Sequence, residues 1–311
     1  MAFFTIVIPL FNKEKFVAKT INSLLAQSYA DFEIIVVDDC STDAGVEIVR
    51  HEFPQVKVIQ HDKNKGLSAA RNTGIENAGA QYIGFLDADD ILKPNFLEKI
   101  SELIKRFPQA GIYATAYEEF YSDTLKLDID KNIRIKVGDM DLVDDFFLAS
   151  SRQPLLWYGS VVVKKEVFEN VGSFDEAITF NEDVDFNIRA NLNYRLAYYN
   201  FPCVYYVMST QNQITKLNFN SHRLIDFNKY EHFTGNNSSL KLFLDANRYA
   251  MAMLYKVAGN KLRFSQLLSE IDKKNLTHKQ LMLLYAPTFL VRLARKVKFL
   301  LLKNGIRLTS Y

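Results

Sequence analysis

The chain is poor in cysteine. Cys40 and Cys203 are the only two in 311 residues, too few for a disulfide scaffold or a cysteine-built zinc cluster, and a reducing, cytoplasmic setting is the simpler reading. Neither sign of charge dominates. Lys and Arg number 38 against 36 Asp and Glu, a formal net charge of +2, so nucleic acid is not an expected partner. Long apolar runs are also missing. The nearest approach to the roughly 18 residues of a spanning helix is Leu281 to Leu302, and Arg292, Arg295, Lys296 and Lys298 interrupt it. Met1 leads straight into Phe4–Ile8 with no basic n-region and no small-residue cleavage site, so no signal peptide is expected. Internal repeats and low-complexity segments are absent.

The composition is that of a globular protein, with 48% hydrophobic and 24% charged residues. The length suits one large domain with an appendage, or two modest domains. Up to about Glu119, short apolar runs alternate with helical stretches. Phe4–Ile8, Glu33–Val37, Val56–Gln60 and Tyr82–Leu86 have the β-branched and aromatic content of buried parallel strands. Between them, Phe16, Val17, Ile21, Leu24 and Leu25 share one face of a first helix, Ala44–Arg50 forms a second and Leu67–Asn77 a third. This alternation implies βαβ units with right-handed crossovers.

Residues 121–145 are charged and irregular, and are expected as loops over a sheet with a helix near Asp141–Ala149. Strands are expected at Val161–Val163 and Cys203–Val207, and a helix from about Glu182. Beyond about Thr215 strand signals vanish, and Leu240–Val257, Leu262–Ile271 and Thr277–Leu302 read as helices. A boundary is expected near residues 210–220.

In open α/β sheets, ligands bind outside the carboxyl ends of the strands. All four N-terminal strands end in polar clusters: Pro9-Leu10-Phe11-Asn12, Asp38-Asp39-Cys40-Ser41-Thr42-Asp43, His61-Asp62-Lys63-Asn64-Lys65-Gly66 and Asp87-Ala88-Asp89-Asp90. The last is the most specific. Acids so closely spaced repel one another unless a cation binds between them, and Mg²⁺ or Mn²⁺ prefers carboxylate and phosphate oxygen. A solvated acidic turn with Asp90 capping a helix would give the same residues. Asp38-Asp39 suits either a base or ribose acceptor or an ordinary strand–helix turn, with Ser41 as N-cap. Arg71, among small residues on a helix, could reach the acids or a phosphate, or form a surface salt bridge. Trp157 suits a sugar-stacking platform or aromatic core packing.

Together these segments resemble the family 2 glycosyltransferases of GT-A fold. Ile6–Asn12, Val36–Asp43, Asn64–Asn72 and Phe85–Asp90 occur in that family's order and spacing. The resemblance is specific over about residues 1–120, continues through Gly172–Glu176 and Asn181-Glu182-Asp183, and fades beyond about residue 215.

It implies an α/β, Rossmann-like and mostly parallel central sheet flanked by helices, followed by a C-terminal helical region. It implies a catalytic domain over 1–215, with nucleotide-sugar binding in 1–120 and the acceptor side and base in 121–215. Residues 216–311 would form the helical region. Pro9, Phe11 and Asn12 would lie along the nucleoside, and Asp39 would accept from the base, most often uracil. Asn64 and Arg71 would support the nucleotide and the acids. Asp87, beside Ala88, would touch ribose or sugar, and Asp89 would hold Mn²⁺ or Mg²⁺. Asp183 matches the base and Glu182 an acceptor-binding or sugar-binding acid. Capping of the following helix is the competing account of Asn181-Glu182-Asp183.

One departure stands out. Relatives carry a His shortly before a Ser/Thr pair after the last strand, whereas Thr210 or Gln211 occupies that place here. His222 is a weak substitute, and a surface His is the better account of it.

The resemblance implies inverting, metal-dependent transfer of a hexosyl or N-acetylhexosaminyl group from a UDP-sugar to a hydroxyl of a glycan or lipid-linked acceptor in surface polysaccharide biosynthesis. The alternative is a catalytically inactive nucleotide-binding or scaffolding subunit of a polysaccharide assembly complex. From Ala286 to Tyr311, six Lys and Arg residues and no acid interleave with Phe289, Leu290, Leu293, Val297, Leu300 and Leu301. Such a helix suits a membrane surface at the inner face of the cell membrane, or packing on a neighbouring protein.

Overall fold

The computed structural model describes residues 2–208 and 219–303. In chain order the strands are β1 Phe4–Leu10, β2 Phe32–Asp38, β3 Lys57–Gln60, β4 Tyr82–Phe85, β5 Ile91–Leu92, β6 Ile112–Ser122, β7 Leu125–Asp128, β8 Met140–Leu142, β9 Val161–Lys164 and β10 Leu196–Val207. The helices are α1 Val17–Leu25, α2 Gly45–Glu52, α3 Leu67–Glu76, α4 Phe96–Arg106, α5 Phe146–Ala149, α6 Lys165–Val171, α7 Glu182–Asn193, α8 Ser238–Ala258, α9 Lys261–Glu270, α10 His278–Tyr285 and α11 Thr288–Lys303.

The sheet runs β3-β2-β1-β4-β9-β6-β10-β5, with β7 beside β6 and β8 beside β10. The expected α/β architecture is therefore present. Pairing is parallel across β3-β2-β1-β4 and between β6 and β10, and antiparallel where β9 joins β4 to β6. Strand β1 is buried along its whole length, as a central strand covered on both faces must be. Val7 faces one core with Ile35, Ile83 and Phe85, while Phe4, Ile6, Ile8 and Leu10 face the other. Helices α1, α2 and α4 cover the second face; α3, α6, α7 and part of α8 cover the first. Gly74 sets the α3 approach, since a Cβ there would lie 2.2 Å from Val7 Cγ1. The helix thus packs directly on the strand.

Several boundaries differ from the sequence reading. Residues 141–142 belong to β8, pairing with β10, and the helix expected at Asp141–Ala149 is reduced to α5. Its start is fixed by Asp145, whose carboxylate accepts from the Leu148 amide at 2.9 Å. The charged segment after Tyr121 forms the β6–β7 hairpin. The expected Cys203–Val207 strand begins earlier, at Leu196, with a register irregularity around Pro202. Pro lacks the N–H that a regular ladder needs. The single helix expected over Thr277–Leu302 is two, α10 and α11, separated at Ala286-Pro287, because Pro disfavours helix in the residue before it and cannot bond back.

The boundary expected near 210–220 falls largely outside the described residues. The chain beyond it is not packed apart from the sheet. Ile225, Phe227, Tyr230, Leu240, Phe243, Leu244 and Met251 join the core of Phe146, Phe147, Phe174 and Phe186. A separate small cluster of Tyr249, Ile271, Leu276 and Leu284 holds α8 to the helices beyond it.

Candidate active site

The four polar clusters lie at the carboxyl ends of β1–β4, where the parallel register aligns them. After β1, Pro9 is buried and the Phe11 ring stands 43% exposed, an aromatic face open at the strand end. Asn12 adopts a left-handed φ of 53°. Its side-chain carbonyl oxygen accepts from the Thr42 amide at 2.8 Å, and its own backbone amide donates to Ser41 Oγ at 3.0 Å. These bonds bind the first two turns together. Ser41 is therefore not the N-cap of α2. That place belongs to Ala44, whose amide donates to Glu14 Oε2 at 3.1 Å.

Asp39 is 4% exposed and already well engaged. Its Oδ1 accepts from the Lys65 amide at 2.7 Å and lies 2.8 Å from His61 Nδ1, while Oδ2 accepts from the Gly66 amide at 2.8 Å. The carboxylate fixes the proton on His61 Nδ1, and Nε2 is 2.9 Å from Thr73 Oγ1. Asp39 thereby organises the loop entering α3, and a lone pair on Oδ2 remains for a further donor. Asn64 Nδ2 donates to the Asp39 carbonyl at 3.3 Å. Gly66 enters the helix with φ 95°, a conformation that side chains disfavour.

Arg71, 3% exposed on α3, reaches two carboxylates. Nη1 donates to Glu182 Oε1 at 2.7 Å and Nη2 to Asp87 Oδ1 at 3.2 Å. Its guanidinium also lies over the rings of Tyr158 and Phe174, at 4.8 and 5.3 Å. Asp87 and the 181–183 segment, distant in sequence, are thus brought together around one buried cation.

The Asp87–Asp90 turn separates into roles. Burial raises the Asp87 carboxyl, Arg71 opposes that, and the Asp89 charge adds to it. Ala88 is buried between them at 3% exposure. Asp89 is paired with Lys13, Nζ to Oδ2 at 2.6 Å. Asp90 is 1% exposed, its carboxyl raised by burial and by its acidic neighbours. It accepts from the Val207 amide at 2.9 Å and from the Trp157 indole N–H. Asp90 therefore ties the acid turn to β10. One face of Trp157 is covered by Tyr206, with centroids 3.7 Å apart, and the ring packs against the core that holds Tyr117.

Asn181 has φ 64° and caps α7 by position without a side-chain capping bond. Glu182 and Asp183 form the first turn. Burial pushes the Asp183 carboxyl up to about 7. The Glu182 charge adds to this, while Arg71 and the amides of Asp183 and Val184 oppose it. Two acids at a helix N-terminus are favoured by its dipole. At Asp183 burial outweighs it.

A divalent cation fits this donor set. Asp87 and Asp89 offer hard carboxylate oxygen, and the Lys13 ammonium on Asp89 shows that positive charge is accommodated there. No three His, Cys, Asp or Glu side chains converge on one metal position among the described residues, so phosphate oxygens and water would complete the shell. Thr210 and Gln211 lie outside the described residues. His222 packs against Phe180 and Phe219, with Nδ1 3.5 Å from Thr179 Oγ1.

Sequence reasoning passed over Lys13 and His61 as individual residues, although both stand at the strand ends. Their signal was position, adjacent to Asn12 and directly after β3.

Residues 5–151 match the family model described as glycosyl transferase family 2. EpsJ of Bacillus subtilis (strain 168), an uncharacterized glycosyltransferase, is 32% identical over 191 residues, 60% of this chain and 55% of EpsJ. The chain thus spans about half the length of that relative. An uncharacterized glycosyltransferase of Haemophilus influenzae is 25% identical over 302 residues, covering 94% of this chain and 98% of that protein. The crystal structure of S. aureus TarS 1–349 in complex with UDP-GlcNAc superposes with a TM-score of 0.68 at 18% identity, covering 91% of this chain and 86% of that 1–349 chain. That likeness establishes the fold.

Proposed function

We propose, for a chain carrying a family 2 glycosyltransferase domain, that it transfers a sugar from a UDP-sugar to a hydroxyl of a glycan or lipid-linked acceptor, with inversion at the anomeric carbon. The observation that carries this reading is Asp183: a carboxyl pushed up to about 7, joined through Glu182 and Arg71 to the Asp87 turn. A base poised near neutral pH is suited to take a proton from an attacking hydroxyl. One such base and no enzymic nucleophile gives a single displacement, so an α-linked donor yields a β-linkage.

In this reading Phe11 and Asn12 border the nucleoside and Oδ2 of Asp39 takes the base N–H. Asp87 faces the ribose or sugar, and Arg71 holds Asp87 and Glu182 in place. Asp89 would hold Mn²⁺ or Mg²⁺, which stabilises charge on the departing diphosphate when bound. TarS carries UDP-GlcNAc in its crystal structure, which supports the same donor class here. Asp183→Asn tests the assignment. Transfer should vanish while UDP binding by calorimetry stays near wild type, and full turnover by the variant would refute it. Product analysis then reads the anomeric configuration.

Helix α11 would hold the protein at an anionic membrane surface. Phe289, Leu293 and Val297 are 67%, 55% and 43% exposed there, while Val291 is buried. Arg292, Arg295 and Lys296 are exposed beside them. No described helix is long and apolar enough to cross a membrane, so the association would be peripheral.

A further inference from the structure

The turn after β1 carries a cation to which the proposed transfer reaction gives no task. Lys13 Nζ lies 2.6 Å from Asp89 Oδ2, and the two side chains are only 13% and 11% exposed. Such a pair sits where water screens little, so each charge strongly sets the local potential.

The backbone of Lys13 is held. Its carbonyl accepts from the Phe16 and Val17 amides at 2.9 and 3.0 Å, and the preceding Asn12 is tied to Thr42 and Ser41. The flexible four-carbon stem and its rotatable ammonium are what can move. An ammonium and a divalent cation repel each other, so the two compete for the Asp89 carboxylate. The acid turn sets three carboxyl groups close together, with Asp90 buried and Asp87 half-buried and engaged by Arg71, so a positive charge on Asp89 is favourable.

Resting on the donor site proposed above, we propose that Lys13 is a resident counter-ion. It neutralises Asp89 before the donor arrives, yields that carboxylate to the divalent cation, and carries its own charge to the incoming diphosphate. The diphosphate's negative charge then offsets both cations. Metal and nucleotide are therefore taken up together, and the metal alone binds weakly because it must displace Lys13.

The test is a Mn²⁺ titration of the full chain followed by electron paramagnetic resonance, with and without UDP, together with UDP calorimetry in Mn²⁺. Lys13→Met should bind Mn²⁺ alone about tenfold more tightly and UDP in Mn²⁺ about tenfold more weakly. These opposite signs are not produced by a structural defect. Lys13→Arg should stay near wild type in both. A Lys13→Met protein with unchanged nucleotide-free Mn²⁺ binding, or with both affinities lowered, overturns the proposal. Should Lys13→Met fail to fold by circular dichroism, Lys13→Gln is read by the same criteria. Normal UDP–Mn²⁺ binding by wild type with no change in the variant rejects the role of Lys13 alone. No UDP binding by wild type rejects the donor site, and this role with it.

Discussion

Arg71 Nη1 lies 2.7 Å from Glu182 Oε1, and through this contact α3 is joined to α7 across 111 residues of sequence. The guanidinium is buried between the two acids and two aromatic rings. Removing one partner from such a set leaves uncompensated charge in a place that water reaches only in part, at Asp87.

Arg71→Met should therefore destabilise the fold by about 3–5 kcal/mol, read from urea unfolding. It should also act on Asp183, whose carboxyl the Arg71 charge lowers. Any residual transfer should show its acid limb moved to higher pH than in wild type. A variant with an unchanged limb would dissociate Arg71 from Asp183.

For the wild-type protein, transfer should rise with pH through about 7, as Asp183 loses its proton. The same shift acts on stability with a definite sign. The folded-state carboxyl, at about 7 against an ordinary 3.8, binds protons more tightly than the unfolded chain does. Stability from this group is therefore lost as pH rises between those values. Asp183→Asn mimics the neutral acid, so its melting temperature relative to wild type should increase from pH 5 to pH 8. A constant difference would contradict the raised value.

Trp157→Phe should keep an aromatic ring against Tyr206 but lose the indole N–H that Asp90 accepts. The expected cost is about 1–3 kcal/mol, measured by denaturant unfolding. An acceptor KM that rises without loss of stability would instead point to a sugar-stacking role.

Arg295→Glu/Lys296→Glu changes two exposed side chains of α11. Sedimentation with vesicles containing anionic lipid should drop severalfold, since each basic residue near such a surface contributes about 1 kcal/mol. Donor binding should be unaffected. Equal sedimentation of both proteins would remove α11 as the contact.

The N-terminal half was legible because local pattern and long-range structure agree there. Buried parallel strands are apolar throughout, as in Phe4–Leu10, and the strand-end rule then gathers Asn12, Asp39, Asn64 and Asp87 at one edge. What stayed hidden depended on contacts between distant segments. Asp39 reads as a base acceptor, yet three donors from the β3–α3 loop already meet it. Nothing near Lys13 in sequence signals Asp89, 76 residues away. Asp141-Leu142 carries no strand pattern of its own and becomes one only by lying beside β10. The break at Pro287 follows from proline chemistry, although apolar residues continue on both sides of it.

The double allegiance of α8 limits how this chain could be recombined. Leu240, Phe243, Leu244 and Met251 complete the core over the sheet, whereas Tyr249 serves the outer cluster. A chimera spliced just after β10 would import a foreign α8 and strip Phe146, Phe147, Phe174 and Phe186 of their apolar cover. The gentler splice point is Gly259, where the chain turns with φ 81° and a Cβ would meet nothing within 4 Å, provided the imported helices restore partners for Tyr249, Asp245 and Arg248 in place of Ile271, Asn275 and Glu270. Exchange there would replace α9 to α11, and with them the basic helix, while leaving the Arg71–Glu182 junction on its native support.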